Sequence, residues 1–419
     1  MKILVNLQFS MRSYETKKFL IWNDAQFNKF KPLIEKFILD GHQIFMIIPE
    51  FKSIEEQSVV NLLKLEKKYK IEKKNDNELH DKLIFITIPY ASNALTNRYN
   101  FFFHAWRSII HMIKPDVCLN EICTLTKNIY AVQEDLGYKF PIISAVEHLD
   151  IVEDNTVFEK VSYFLRQCDG LLASDLAIFP MTNMRELFVS SMKQHFEDKI
   201  LEQFLFRTRI WRHYFSTNDV GKIGRKNKEK VIFFGSRLSD VKRTKYDLFF
   251  EAINLLWKQR QDFKVIVANP NDAQPWSWIE AMVPKKCLHD MRINSVDAKS
   301  REAYMKAIKM SHISAVLYRM DELYSVGFNE LLYCKNLVVT PRCDVEHLPT
   351  NYIGFIKEIT PESISAKFNK LLNFLSSKDY KKYVSRVARD VAFEASGESN
   401  AKKIIGDIEN VYKKFRGIR

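Results

Sequence analysis

Twice along the chain, short apolar runs of strand character alternate with longer stretches whose apolar residues recur every three or four positions. Parallel strands need helical crossovers and bury both faces, so this alternation predicts an α/β fold. The first series begins with "KILVNLQF", then the helical "NDAQFNKFKPLIEKFILDGH", whose Gly41 suits a helix stop, then the strand "QIFMIIP". After a lysine-rich stretch from Ser53 to Asp81 come "KLIFITIP", "DVCLN", "FPIISAV" and "GLLAS", all read as strands. The second series runs "VIFFGS", a helix "KYDLFFEAINLLWKQR", "FKVIVAN", a helix "SREAYMKAIKMS", "ISAVLY" and "LVVTP". Between them "STNDVGKIGRKNKEK" is polar, carries two glycines and has no apolar period, which predicts a linker. The expected organisation is two α/β domains, 1–217 and 231–395, joined by a linker at 218–230 and followed by a helical stretch at 396–419.

Length and composition agree with this division. One core rarely grows past about 250–300 residues, and the chain has 419. Hydrophobic residues at 46% and charged ones at 27% are ordinary for a soluble globular protein. The six cysteines form no CxxC pair and no zinc-like spacing with histidine, as expected of reduced core thiols in a cytoplasmic protein. "MKILVNLQFSMR" is too short and polar for a signal peptide, and "FFFHAWRSIIHMI" is broken by His104, Arg107 and His111, so no membrane span is expected. Lys plus Arg is 64 against 51 for Asp plus Glu, a formal charge of +13. An excess of that size favours a polyanionic partner such as nucleic acid, anionic lipid or a phosphorylated substrate, although solvated lysines could account for much of it.

Three stretches carry candidate chemistry. After the strand "VIFFG", the segment "GSRLSDVK" supplies Gly235, Arg237 and Lys242. Glycine lets backbone approach a ligand closely, and two cations at a strand end can neutralise a diphosphate. A strand-to-helix turn with solvated charges is the other reading. In "AVLYRMDELYSVGFNELLYCKNLVVTP", Glu322 falls in the loop after a strand and Glu330 on the following helix. Amides around Ser325, Val326 and Gly327 suit phosphate or sugar oxygens, and the two carboxylates can accept hydrogen bonds from hydroxyls on either side. Taken singly, a surface glutamate and a helix N-terminal glutamate would explain them as well. In "FPIISAVEHLDIVEDN", His148 and Asp150 follow a strand, and in "KPDVCLNEICTLTKN" Asn120 and Glu121 end another. Asp150 could serve an acceptor hydroxyl or cap a helix.

The combination resembles the retaining GT-B glycosyltransferases of the Glu-x7-Glu type, family 4-like, over most of the chain. Gly235, Arg237 and Lys242 match that family's G-x-R…K element, and Glu322 and Glu330 match its paired glutamates. The resemblance implies two Rossmann-like domains facing a cleft, with the final helix packing back on the first. It implies a nucleoside diphosphate sugar, a UDP-sugar, as donor: Arg237 and Lys242 on the diphosphate, Glu330 on the ribose, Glu322 on the sugar, and His148 pointing toward that sugar. Two departures stand out, Tyr324 and Ser325 where the family has Phe-Gly, and Lys335 and Leu337 where it has Gly-x-Pro. There is no Asp-x-Asp, so no cofactor and no obligatory metal are expected.

For the acceptor, "FLFRTRIWRHYF" interleaves Arg207, Arg209 and Arg212 with aromatic rings including Trp211, a mix able to grip phosphates and stack on bases. An amphipathic helix with rings in the core is the other explanation. "IISAVEHLDIV…FLRQCDGLLASD" and "GSRLSDVK" also resemble viral α-glycosyltransferases that modify 5-hydroxymethylcytosine in duplex DNA. The competing expectations are an enzyme of surface-polysaccharide or lipid-linked glycan assembly with peripheral membrane contact, and a non-catalytic nucleic-acid-binding protein on the same scaffold.

Overall fold

The computed structural model describes residues 1–7, 25–50, 82–89, 103–146, 157–236, 244–269, 292–297, 301–317, 326–342, 348–349 and 351–418. The chain divides into two compact units, the first Met1–His213 with Asn400–Arg419 and the second Tyr214–Ser399. The division therefore falls at His213/Tyr214, and 218–230 groups with the second unit.

The first unit runs β1 (Lys2–Asn6), α1 (Ala25–Leu39), β2 (Gln43–Glu50), β3 (Leu83–Pro89), α2 (Phe103–Ile113), β4 (Val117–Asn120), α3 (Thr126–Leu136), β5 (Ile142–Ala145), α4 (Val157–Ala173), β6 (Leu176–Phe179), α5 (Thr182–Met192), α6 (Asp198–Phe206) and β7 (Thr208–Ile210). Its strands form one sheet of order β3-β2-β1-β4-β5-β6-β7, paired in parallel throughout. Alternation along β1 shows why both faces need helices. Ile3 and Val5 join Phe30, Leu33 and Phe37 of α1 on one face, while Leu4 joins Trp106, Ile110 and Ile129 on the other.

The second unit runs α7 (Thr217–Val220), β8 (Lys230–Phe234), α8 (Tyr246–Gln259), β9 (Phe263–Asn269), β10 (Ile293–Asp297), α9 (Arg301–Met310), β11 (Ile313–Ala315), α10 (Val326–Tyr333), β12 (Leu337–Pro341), β13 (Phe355–Ile356), α11 (Pro361–Phe374) and α12 (Tyr380–Ala395). A last helix, α13 (Gly397–Arg416), carries Ala401, Ile404, Ile405 and Ile408 into the first unit's core beside Trp211. The second sheet has the order β10-β9-β8-β11-β12-β13, again parallel. Both sheets thus share one doubly wound order, whose reversal lies between β1 and β4 in the first unit and between β8 and β11 in the second. Ile232 and Phe234 of β8 pack with Phe249 and Ile253 of α8 and Phe368 of α11, and each buried aliphatic or aromatic side chain of this kind contributes about 1.5–3 kcal/mol.

One expectation and one alternative reading need correction. "GLLAS" is not a strand: residues 170–173 close α4, and the strand is Leu176–Phe179. A four-residue apolar run fits either state, and packing decides it. A Cβ at Gly170 would stand 2.0 Å from the Cys123 carbonyl oxygen, so this turn of helix lies directly against the chain after β4. Nor is 204–215 a single amphipathic helix. It breaks at Phe206 and continues as β7, which pairs with β6 through Ala177–Thr208, Ile178–Arg209 and Phe179–Ile210. The four described free cysteines, Cys118, Cys123, Cys168 and Cys334, are buried.

Candidate functional site

Ligands of doubly wound sheets sit outside the carboxyl ends of the strands, at the reversal of strand order. In the second unit that place follows β8. Gly235 is the first residue after the strand, and a Cβ on it would stand 2.6 Å from the Phe233 ring and 3.2 Å from the Tyr304 hydroxyl. Tyr304 belongs to the first turn of α9, and its ring lies 5.7 Å from that of Phe233. The residue that opens α9 is Arg301. Its Nη1 donates to Glu330 Oε2 at 3.0 Å and its Nη2 donates to Glu330 Oε1, a bidentate pair.

The pair is asymmetric in exposure. The Glu330 side chain is 3% exposed and that of Arg301 is 25%. Burial works against the Arg301 charge, but the Glu330 carboxylate more than reverses it through charge and hydrogen bonding, so the guanidinium is held above its ordinary range. Sequence reasoning found Glu330 and missed Arg301. The available signal was a cation at the first position of a helix, where the macrodipole disfavours it. Val326 begins α10 and Gly327 lies half-exposed in its first turn. His148, Asp150, Arg237, Lys242, Glu322 and Ser325 lie outside the described residues.

In the first unit the reversal is occupied by polar side chains that satisfy one another. Asn6 Nδ2 donates to Asn120 Oδ1 at 2.9 Å, and Asn120 Nδ2 donates to the Ile122 carbonyl at 3.0 Å. Lys29 Nζ meets Glu121 Oε1 at 3.0 Å, with side chains only 6% and 1% exposed. His213 packs its ring 4.6 Å from Phe30 and 6.2 Å from Trp211. Neither of its nitrogens has a hydrogen-bond partner among the described residues. Burial, followed by the Lys29 charge, keeps His213 neutral with a pKa well below the usual 6.5, despite the nearby Trp211 backbone. The cavity between Phe30, Asn120, Glu121 and Trp211 holds about 10 Å³, the room of one water and far less than a sugar needs.

The four residues expected at an acceptor are spread over different environments. Trp211 is 2% exposed and donates from Nε1 to Asp407 Oδ2 at 3.0 Å, so its ring cannot stack on a base. Phe204, Tyr214 and Phe215 are equally enclosed, and of the rings in this segment Phe206 alone stands out, 74% exposed. Arg207, half-buried, donates to the Ser174 and Leu172 carbonyls at 3.1 and 3.2 Å. Arg209 is exposed, donates to the Thr208 carbonyl at 2.7 Å and lies 3.8 Å from Asp407. Arg212 is half-buried. Among the described residues no helix is long and apolar enough to cross a membrane.

No protein-family model matches the sequence, and no curated protein does. Solved structures do match along nearly the whole length. A glycosyltransferase from Rickettsia africae ESF-5 superposes with a TM-score of 0.64 at 13% identity, over 99% of this chain and 98% of that one. HepE from Anabaena, in complex with UDP, gives 0.61 at 9% identity over 98% and 99%. The fold is GT-B. A putative UDP-N-acetylglucosamine 2-epimerase from Listeria monocytogenes also matches, with a TM-score of 0.55 at 12% identity over 99% and 97%. The GT-B fold thus hosts both sugar transfer and sugar epimerisation, and chemistry has to be argued from side chains.

Proposed function

We propose that the protein is a glycosyltransferase that moves a sugar from a UDP-sugar to a hydroxyl acceptor, with retention at the anomeric carbon. The observation that carries this is that α9 reaches both elements: its Arg301 binds the Glu330 carboxylate, and its Tyr304 hydroxyl lies against Gly235. Glu330 and Gly235 are the described members of the two sequence elements that resemble donor-binding elements of retaining GT-B enzymes. The UDP bound to HepE and the UDP-sugar in the epimerase's description support uridine diphosphate as the donor's leaving group.

In this reading the Gly235 backbone, Arg237 and Lys242 hold the diphosphate together with amides at Ser325, Val326 and Gly327. Glu330 accepts from the ribose, and Glu322 and His148 face the donor sugar. Asp150 takes the hydrogen bond of the acceptor hydroxyl. Cationic side chains and helix N-terminal amides stabilise the departing diphosphate, so no metal is required. The finer proposal for the acceptor is 5-hydroxymethylcytosine in duplex DNA, supported by the +13 charge and the exposed Arg209. Trp211 has no part in it.

The test is mass spectrometry of nucleosides after incubation with several UDP-sugars, comparing DNA containing 5-hydroxymethylcytosine with DNA containing only cytosine. A mass increment confined to the hydroxymethylated DNA is the expected result. Release of UDP without modified DNA, but with glycosylated lipid or oligosaccharide, would move the acceptor. Conversion of UDP-N-acetylglucosamine to its C2 epimer would replace transfer by epimerisation.

A further inference from the structure

A buried carboxylate that must recognise a ribose has two requirements: it has to stay charged, and its oxygens have to be aimed. Glu330 lies on the short helix α10 with its side chain 3% exposed, and a flexible glutamate there would lose entropy on meeting a ligand. The Arg301 fork binds both oxygens at once, which fixes the carboxylate plane. Each carboxylate oxygen has two lone pairs, and the fork uses one on each. The open side of the pair is the arginine side, where 25% of the side chain is exposed.

Stability alone does not explain this pair. Apolar side chains of similar volume commonly replace a buried ion pair without loss. Arg301 also stands at the first residue of α9, where the helix dipole opposes a cation. Asp219 and Tyr304 face the guanidinium too, and Cys334 lies near the carboxylate, but the hydrogen bonds that close the fork go to Glu330.

We propose that Arg301 is a positioning residue for nucleotide recognition, holding the Glu330 carboxylate so that its remaining lone pairs accept the ribose hydroxyls of a nucleoside diphosphate. This rests on the assignment of Glu330 to the ribose, and it adds a residue outside both motifs that makes that assignment work. Arg301 sets the preference for ribose over deoxyribose through Glu330.

Calorimetric titration tests it with no sugar and no acceptor. UDP, ADP and GDP are titrated into the wild-type protein, and the diphosphate that binds is compared with its 2′-deoxy and 3′-deoxy forms. A charge-assisted hydrogen bond to ribose gives the wild type a preference of about tenfold or more over at least one deoxy form. Glu330→Gln removes most of that preference. Arg301→Met is expected to reduce it below about threefold, and Arg301→Lys, which keeps the charge but not the fork, to an intermediate value. Equal weakening of ribose and deoxyribose forms in Arg301→Met would leave Arg301 a purely structural role and overturn the proposal. Should Arg301→Met fail to fold, full wild-type preference in Arg301→Lys would overturn it instead. A wild type without ribose preference, or a Glu330→Gln variant that keeps it, removes the assignment of Glu330 and the proposal together.

Discussion

Each unit carries a buried ion pair close to the carboxyl ends of its strands, and the two are built differently. Lys29–Glu121 is sealed, with 6% and 1% of the side chains exposed, among Phe30, Trp211 and the asparagines of the strand reversal. Arg301–Glu330 is open on its cationic side, and it uses a two-pronged fork where Lys29 meets one oxygen of Glu121. A lysine offers a point charge, whereas a guanidinium imposes a plane. The sealed pair closes the edge of a core. The open pair shows its guanidinium to solvent and holds the carboxylate behind it in a fixed plane.

The largest expected effect tests the sealed pair. Lys29→Met removes the cation that faces the buried Glu121 carboxylate, at a cost of about 3–5 kcal/mol. Thermal unfolding of that variant should move down by on the order of 10 °C, and Lys29→Met with Glu121→Leu should recover most of the loss. A shift of a degree or two in the single variant would show that water reaches Glu121 and that the contrast is wrong. Next in size is Arg301→Met. Water can enter where the arginine was, so its cost to stability is expected to be smaller, roughly 1–2 kcal/mol, with the larger effect on nucleotide affinity. A loss equal to that of Lys29→Met in chemical denaturation would make the two pairs equivalent.

At pH 7.5 the smallest effect is expected at two buried histidines, one described in each unit, His213 and His312. His213 is held neutral by burial, followed by the Lys29 charge. His312 is held at a pKa of about 4 by burial, then by Lys226 and Lys230, and its Nδ1 accepts from the Val231 amide at 3.3 Å. Both folded-state pKa values lie below the unfolded one, so the unfolded chain binds more protons in acid. Stability should be full above about pH 6.5 and fall as pH drops, by up to about 1.4 kcal/mol per pH unit for each histidine. For His312 that fall spans pH 6.5 to about 4. His213→Phe suits a ring site beside Phe30 and should flatten part of the acid limb while leaving stability at pH 7.5 nearly unchanged. Denaturation at pH 5.0 and 7.5 reads both, and an unaltered acid limb in His213→Phe would place the proton-sensitive group elsewhere.

The same comparison shows what a sequence can disclose. The alternation of runs exposed both sheets because parallel strands need crossovers: β1 and β9 lie inside expected strands, and β2 and β8 overrun theirs by one residue. Gly235 and Glu330 were visible because strand ends and spacing mark them locally. Arg301 was not, since its partner lies 29 positions away and no motif links them. The pairing of Lys29 with Glu121, 92 positions apart, was hidden for the same reason. Short elements such as β7, β10 and β13 escaped because a few residues carry too little periodicity, and their pairing is decided by neighbours distant in sequence. The aromatic residues of 204–215 looked like a binding surface because composition cannot tell a ring in a core from a ring on a face.

The last helix has a consequence for how the protein comes into being. Ile404, Ile405 and Ile408 complete a core whose first strand is Lys2–Asn6. A ribosome working from the amino terminus therefore delivers the whole second unit, Tyr214–Ser399, before the first unit has received its final apolar face. The second unit has all its own strands in one uninterrupted stretch and is free to fold during synthesis. The first waits, nearly finished, with an apolar gap that stays open until α13 has been made.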